Sequence, residues 1–433
     1  MPSPLAGARR MFAIGVLALS LIALPAVAHA GDPVVEWNGV AVRVTLAFVS
    51  NGRTLFPVEQ SRAMAIVHVA IHDAVNGITG KYQTYSATGG APAGASPQAA
   101  AIAAAYHALK GQFGDAHFGN PTHLTTAYLA SLDTHTVSLQ DPGLGFGQSV
   151  AEAILTLRQG DGAASAAYPY LPPNAGQLGV WMPINNTSGA QAILPGWGQV
   201  TPWVLRSGAQ FRPDPPPALD SEQYARDYIE VQQVGARAYH MPANDQTEIA
   251  QFWRASPVAI WSPILRTAIE SRHFDLSTSA QVAALVNLAG ADASIAVWEA
   301  KYVYNFWRPQ PAIVNGDAVG NPMIIGDTEW VPLVATPAHP EYPSGHTANS
   351  GAMAYVLKEI FGDAPGYLIE ATSTQTPGVV RSWTTFTQGV QEVIDARVYS
   401  GIHFRTADVV GARQGRQVAQ FVLKHALRPA TPR

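Results

Sequence analysis

The chain has 433 residues, 47% hydrophobic and only 13% charged, with 38 Gly and 33 Pro, the composition of a globular protein with long loops, neither disordered nor collagen-like. It contains no Cys, which excludes disulfide scaffolds, thiolate nucleophiles, iron–sulfur clusters, haem-thiolate ligation and cysteine zinc sites. A formal net charge of −4, with no basic run of five or more, argues against a nucleic-acid partner.

Residues 1–30 carry Arg9 and Arg10, then an uncharged apolar run from Met11 to Val27, then Ala28-His29-Ala30. The run is shorter than the roughly 20 residues a membrane span needs and closes on a small-x-small site, so it reads as a signal peptide. The mature chain is therefore expected to be exported, to the periplasm or outside the cell. Arg9-Arg10-Met11-Phe12 also fits a twin-arginine signal, although paired arginines occur in ordinary n-regions. No membrane span is expected beyond residue 30, since even the apolar stretch 282–300 contains Asp292 and Glu299.

The remaining chain exceeds the roughly 250–300 residues at which one core stops growing, and no low-complexity linker divides it. Two packed halves are expected, 31–220 and 221–433. Apolar residues three and four apart predict helices over 59–75, 97–113, 124–132, 147–158, 221–236, 245–254, 277–307, 344–361, 378–394 and 407–426. Strand alternation is scarce, with 34–44 the best candidate, so the fold class is all-α. On the first of these helices His68 and His72 share a face and could ligate zinc, but no Glu follows His68 and the face is otherwise apolar. A structural histidine pair with Asp73 is the alternative. Segment 168–219 differs, with Leu171-Pro172-Pro173 and Phe211-Arg212-Pro213-Asp214-Pro215-Pro216-Pro217 among aromatics. It reads as a long ordered loop, either the wall of a pocket or a cover for the core. Asn185-Asn186-Thr187-Ser188 holds two overlapping sequons, which the alanine-rich, bacterial-looking signal leaves unmodified.

Three short segments carry chemistry. In 291–309 Lys301 and Arg308 lie seven apart, which places them on one helical face, with Pro309 ending the helix so that Arg308 falls in its last turn. Lys301 is one of five lysines in the chain and sits among Trp298, Tyr302, Phe306 and Trp307; an ammonium in such surroundings needs an anion. Pro343-Ser344-Gly345-His346 precedes an apolar helical run, so Ser344 reads as an N-cap and Gly345 and His346 offer free N–H groups at the positive end of a helix. Arg397 and His403 are six apart and would diverge by about 120° on one helix; Gly401 is expected to break the helix and let both reach a common point. Three permanent cations, one hydroxyl, two backbone N–H groups and two histidines suit a compact oxyanion.

The order Lys301-x6-Arg308-Pro309, then Pro343-Ser344-Gly345-His346, then Arg397-x5-His403 strongly resembles the vanadium haloperoxidase and type 2 phosphatidic acid phosphatase superfamily. Segments 62–78, 194–203 and 211–219 are similar to bacterial haloperoxidase-like members. Ala396 departs from the Ser that usually precedes the Arg. The resemblance implies helical bundles, the site-bearing one within 221–433, and vanadate, in competition with phosphate, as cofactor. It implies that Lys301, Arg308 and Arg397 hold vanadate oxygens with Ser344 and the Gly345 N–H, that His403 bonds the metal, and that His346 is the acid–base residue. Hydrogen peroxide and halide would be the partners; a small organic acceptor and an oligomer stay open. Trp298 matches a halide-pocket Trp of the chloroperoxidase, and His339 stands where bromide-oxidising members resemble one another in having His, which favours bromide or iodide over chloride. The same shell in the superfamily's acid phosphatases would hold phosphate, with His403 as nucleophile and His346 as acid. A non-enzymatic vanadate- or phosphate-binding module is a further alternative.

Overall fold

Six of the helices begin on proline, whose fixed φ suits the first helical position and whose missing N–H is not needed there. In the computed structural model, residues 31–50, 52–86, 89–118, 123–183, 191–241 and 243–430 are described. The expected signal peptide and the sequons at 185–188 lie outside them. The first five helices are α1 (Pro33–Ala47), α2 (Pro57–Thr79), α3 (Pro97–Phe113), α4 (Leu124–Thr134) and α5 (Pro142–Gln159). After the long loop come α6 (Glu222–Val234), α7 (Asp245–Phe252), α8 (Pro257–Arg272), α9 (Leu276–Tyr304) and α10 (Pro309–Val314). The last three are α11 (Gly345–Phe361), α12 (Phe386–Tyr399) and α13 (Arg405–His425). Among the described residues the only sheets are two antiparallel hairpins, β1 (Val49–Ser50) with β2 (Arg53–Thr54) and β3 (Ile369–Ser373) with β4 (Thr376–Trp383). The fold is all-α, as the patterning predicts.

Two predicted elements are corrected. Residues 34–44 form α1, not a strand. Asp32 Oδ1 caps it by accepting from Val34 N at 2.8 Å, with Pro33 at the first turn. The helix is buried nearly all round, at Val34, Trp37, Val40, Ala41, Val42 and Val44, so no polar face marks the helical period. Residues 378–394 are divided: β4 runs to Trp383, and α12 starts at Phe386 behind a capping box in which Thr385 Oγ1 accepts from Gln388 N at 3.0 Å. Helix α8 escapes the periodicity because Pro263 lies inside it.

Helix α9 is the central strut. By length and hydropathy it could cross a membrane, yet 94% of its most apolar window is buried inside the protein, against α2, α11 and α13. One hydrophobic core runs from Val34 to Leu427, drawing on both sides of residue 220. Helices α11 and α13 cross so closely that a Cβ on Gly415 would lie 1.9 Å from the Ala348 carbonyl oxygen, and one on Gly411 2.5 Å from that of Ser344. Any side chain at either position would push α13 away from α11.

His68 and His72 do not share a ligand. Arg266 donates to Asn38 Oδ1 at 2.8 Å, which orients the Asn38 amide to donate to His68 Nε2 at 2.9 Å; His72 Nε2 donates to the Gln83 carbonyl at 3.1 Å. Asp73 accepts from Tyr85 N and Ser86 N, so the group is structural. Burial, with Arg266 nearby, lowers His68 to about 3, and burial lowers His72 to about 4. The folded state keeps both rings neutral while the unfolded chain binds protons below about pH 6.5. Stability is therefore lost as pH falls from about 6.5 to 4, by about 1.4 kcal/mol per pH unit for each ring. Denaturant unfolding at pH 7 and pH 5 should show this loss, and His72→Asn should reduce the slope by about one proton; an unchanged slope would contradict the assignment.

Candidate active site

Asn305 takes a left-handed conformation (φ 47°) and closes α9 by donating its N–H to the Lys301 carbonyl at 2.9 Å. Arg308 therefore does not lie in the last turn of α9, as expected, but at the N-cap of α10. The long loop holds this turn: Trp181 N donates to the Asn305 carbonyl at 2.7 Å and Trp307 N to the Gly179 carbonyl at 3.0 Å. The two cations do not share a helical face; they meet instead on segment 339–341. Lys301 Nζ donates to the Pro340 and Glu341 carbonyls at 2.9 and 2.8 Å. Arg308 Nε donates to the His339 carbonyl at 3.0 Å, and its Nη2 lies 3.0 Å from His339 Nδ1.

Arg308 also fixes His403. Its Nη1 donates to the Ile402 carbonyl at 2.8 Å and lies 3.0 Å from His403 Nε2. A guanidinium can only donate, so Nε2 presents its lone pair and the ring proton is on Nδ1. That proton is given to Glu341 Oε1 at 2.8 Å, which also accepts from Phe404 N at 3.0 Å. The chain break at Gly401 is as predicted, with φ 74° and a Cβ position 2.4 Å from the Gly235 carbonyl oxygen. Arg397 ends α12 and His403 stands in the connection before α13, with Arg397 Nη1 donating to the Trp253 carbonyl at 3.1 Å.

Ser344 occupies the N-cap of α11, but its hydroxyl makes no capping bond. Its backbone N–H donates to the Ala407 carbonyl at 3.0 Å, tying the motif to α13. A Cβ on Gly345 would lie 3.1 Å from Trp298 and 3.7 Å from Lys301 Cε, so glycine keeps the space over the lysine open. The rings of Trp298 and His339 pack at 4.8 Å. Trp298, His339, Gly345, His346, Arg397 and His403 line one cavity of about 60 Å³, and Ile193 gives it a wall from the long loop.

Lys301, Arg308 and Arg397 are buried, as are Ser344 and His403. Burial is the main cause of each shift: it lowers Arg308 and Arg397 to about 10 and draws Lys301 well down, with Arg308 adding repulsion. Burial raises Glu341 to about 8 against the pull of Arg308 and Lys301, and raises Asp408, beside Ser344, well above the usual carboxylate range. His339, His346 and His403 are held well below the ordinary imidazole value, first by burial and then by the cations. Bringing a compact anion here reverses the mutual repulsion of the cations. Ser344 Oγ, His346 Nε2 and Arg397 Nε are buried with no partner among the described residues. The two donors, Ser344 Oγ and Arg397 Nε, together with the cations and the His403 lone pair, fit vanadate or phosphate.

Of the residues the sequence assigns to the site, Trp298, His339, Gly345, His346, Arg397 and His403 line the cavity, Lys301 and Arg308 lie behind it on segment 339–341, and Ser344 lies beside Asp408; Glu341 and Asp408 are added. Their signal was two acids in a sparsely charged chain, one two residues before Pro343 and the other five after His403.

Residues 281–431 match the VCPO second helical-bundle domain. Over 209 residues the chain is 24% identical to the vanadium chloroperoxidase of Curvularia inaequalis, covering 41% of this chain and 34% of that protein, so the match spans about a third of that relative's length. A solved bacterial vanadium-dependent iodoperoxidase superposes with a TM-score of 0.76 at 27% identity, over 92% of this chain and 98% of that one. A holo-type bacterial vanadium-dependent chloroperoxidase has the same fold at 18% identity, with a TM-score of 0.68 over 90% of this chain and 97% of the other. The chain thus shares the fold of solved vanadium haloperoxidases, and its C-terminal part matches their second helical-bundle domain.

Proposed function

We propose that this protein is an exported vanadate-dependent haloperoxidase that uses hydrogen peroxide to oxidise halide, bromide or iodide before chloride, to hypohalous acid. The observation that carries the reading is the buried cluster of Lys301, Arg308 and Arg397 around the His403 Nε2 lone pair, with Arg308 against His403 and with Arg397 and His403 lining one cavity. Vanadate, when bound, supplies a Lewis-acidic centre that makes peroxide oxygen electrophilic toward halide without a change of oxidation state. The three cations and the Gly345 N–H would hold the oxyanion and withdraw electron density. Glu341 keeps His403 in the tautomer that offers Nε2. His346 would take a proton from incoming peroxide at Nε2. His339, packed on Trp298 and facing Arg308, supports the softer halides, in keeping with the iodoperoxidase likeness.

The second reading, a phosphomonoesterase, is favoured by one observation: the same lone pair on His403 could attack phosphorus, forming an N–P bond while His346 protonates the departing alcohol. Vanadium-free protein should regain bromide or iodide oxidation on adding vanadate alone, and inorganic phosphate should compete with vanadate and suppress that activity. Vigorous hydrolysis of p-nitrophenyl phosphate, with no halide oxidation after vanadate loading from mildly acid to neutral pH, would replace the peroxidase by the phosphatase.

A further inference from the structure

The cavity beside the site carries a second polar group that the oxyanion shell does not use. Ser294 and Asn349 line it, one helical turn along from Trp298 on α9 and from His346 on α11. Asn349 is 4% exposed. Its amide nitrogen lies 2.9 Å from the Gly290 carbonyl oxygen, 2.9 Å from Ser294 Oγ and 3.1 Å from Ser61 Oγ. The Gly290 carbonyl can only accept, so the amide cannot be turned round. Asn349 Oδ1 is then a buried acceptor with no partner among the described residues. His346 Nε2, three positions earlier and on the same face of α11, is a second, while the ring's other nitrogen faces the Ala255 backbone.

Both atoms belong to residues of one cavity, and a buried carbonyl left without a donor is destabilising. An anion is repelled by Asn349 Oδ1, because the amide N–H groups are turned to α2 and α9. A cation is repelled by Lys301, Arg308 and Arg397. What remains is a small neutral molecule with two O–H donors. The cavity, of about 60 Å³, has room for more than one water-sized oxygen, and hydrogen peroxide brings the two O–H donors that these two acceptors lack.

We infer that Asn349 Oδ1 and His346 Nε2 form a docking site for hydrogen peroxide, one O–H donating to the amide oxygen and the other to the imidazole. The inference rests on the haloperoxidase reading, which supplies the peroxide. It assigns Asn349 to peroxide binding and leaves the oxyanion to Lys301, Arg308, Arg397 and His403. Ser294 and Ser61 act as positioning residues, holding the amide the right way round.

The test uses vanadium-free full-length protein labelled with ¹⁵N-histidine, the His346 signal being identified by its loss in His346→Ala. Hydrogen peroxide should give a saturable shift of that signal in the wild type, weakened about tenfold in Asn349→Ala, and tert-butyl hydroperoxide should give none. In vanadate-loaded protein Asn349→Ala should raise the KM for peroxide about tenfold, with the KM for halide and the Kd for vanadate within twofold. Should Asn349→Ala fail to fold, Ser294→Ala should raise the peroxide KM two- to threefold. An unchanged peroxide response in both variants, or a parallel rise in the halide KM, overturns the docking site. A His346 shift with peroxide in protein that oxidises no halide after loading would support the site and overturn the haloperoxidase reading instead.

Discussion

His403→Ala should lose vanadate binding by more than about 100-fold, the upper end of the effect expected from removing even an outer partner of a metal ligand. The reason lies in the shell: the Lys301, Arg308 and Arg397 side chains and the Gly345 N–H offer only charge and hydrogen bonds, which phosphate satisfies equally well. Among these groups only the His403 Nε2 lone pair can form a bond to a metal. Calorimetric titration of vanadium-free protein with vanadate measures the loss, and titration with phosphate supplies the control, which should weaken far less. Retained vanadate affinity would remove His403 from the account.

Glu341→Ala should be the most destabilising single change at the site. Both partners of Glu341 Oε1, the His403 ring and Phe404 N, are buried with it, and removing one member of a buried, charged network costs about 3–5 kcal/mol. The ring would also be free to take the other tautomer, so vanadate affinity should fall about 10- to 100-fold. Glu341→Gln keeps an acceptor oxygen in the same place and should recover most of the affinity. Thermal unfolding and vanadate titration of the two variants together decide the point; equal behaviour of Ala and Gln would mean that the carboxyl does not orient the ring.

The site residues could be read from the chain because they are short motifs whose local geometry is set by neighbours in sequence: Gly401 breaks the helix after Arg397, and Ser344 opens α11. What could not be read was how Lys301 and Arg308 come together. Spacing alone put them on one helix, whereas Asn305 ends α9 and the distant segment 179–181 holds the reversal. Glu341 was passed over for a similar reason, since its importance comes from contact with a ring 62 positions away. Among the elements, the long amphipathic helices followed their periodicity. Helix α1, buried on nearly all sides, and α8, interrupted by Pro263, did not. The β3–β4 hairpin fell inside a stretch whose apolar spacing mimics a helix.

A crystal structure of the protein soaked in vanadate tests the central assignment most directly. Vanadium density bonded to His403 Nε2 is expected, with Lys301, Arg308 and Arg397 turned to its oxygens and Glu341 still accepting from His403 Nδ1. Vanadium bound elsewhere, or no density at His403 at saturating vanadate, would contradict it.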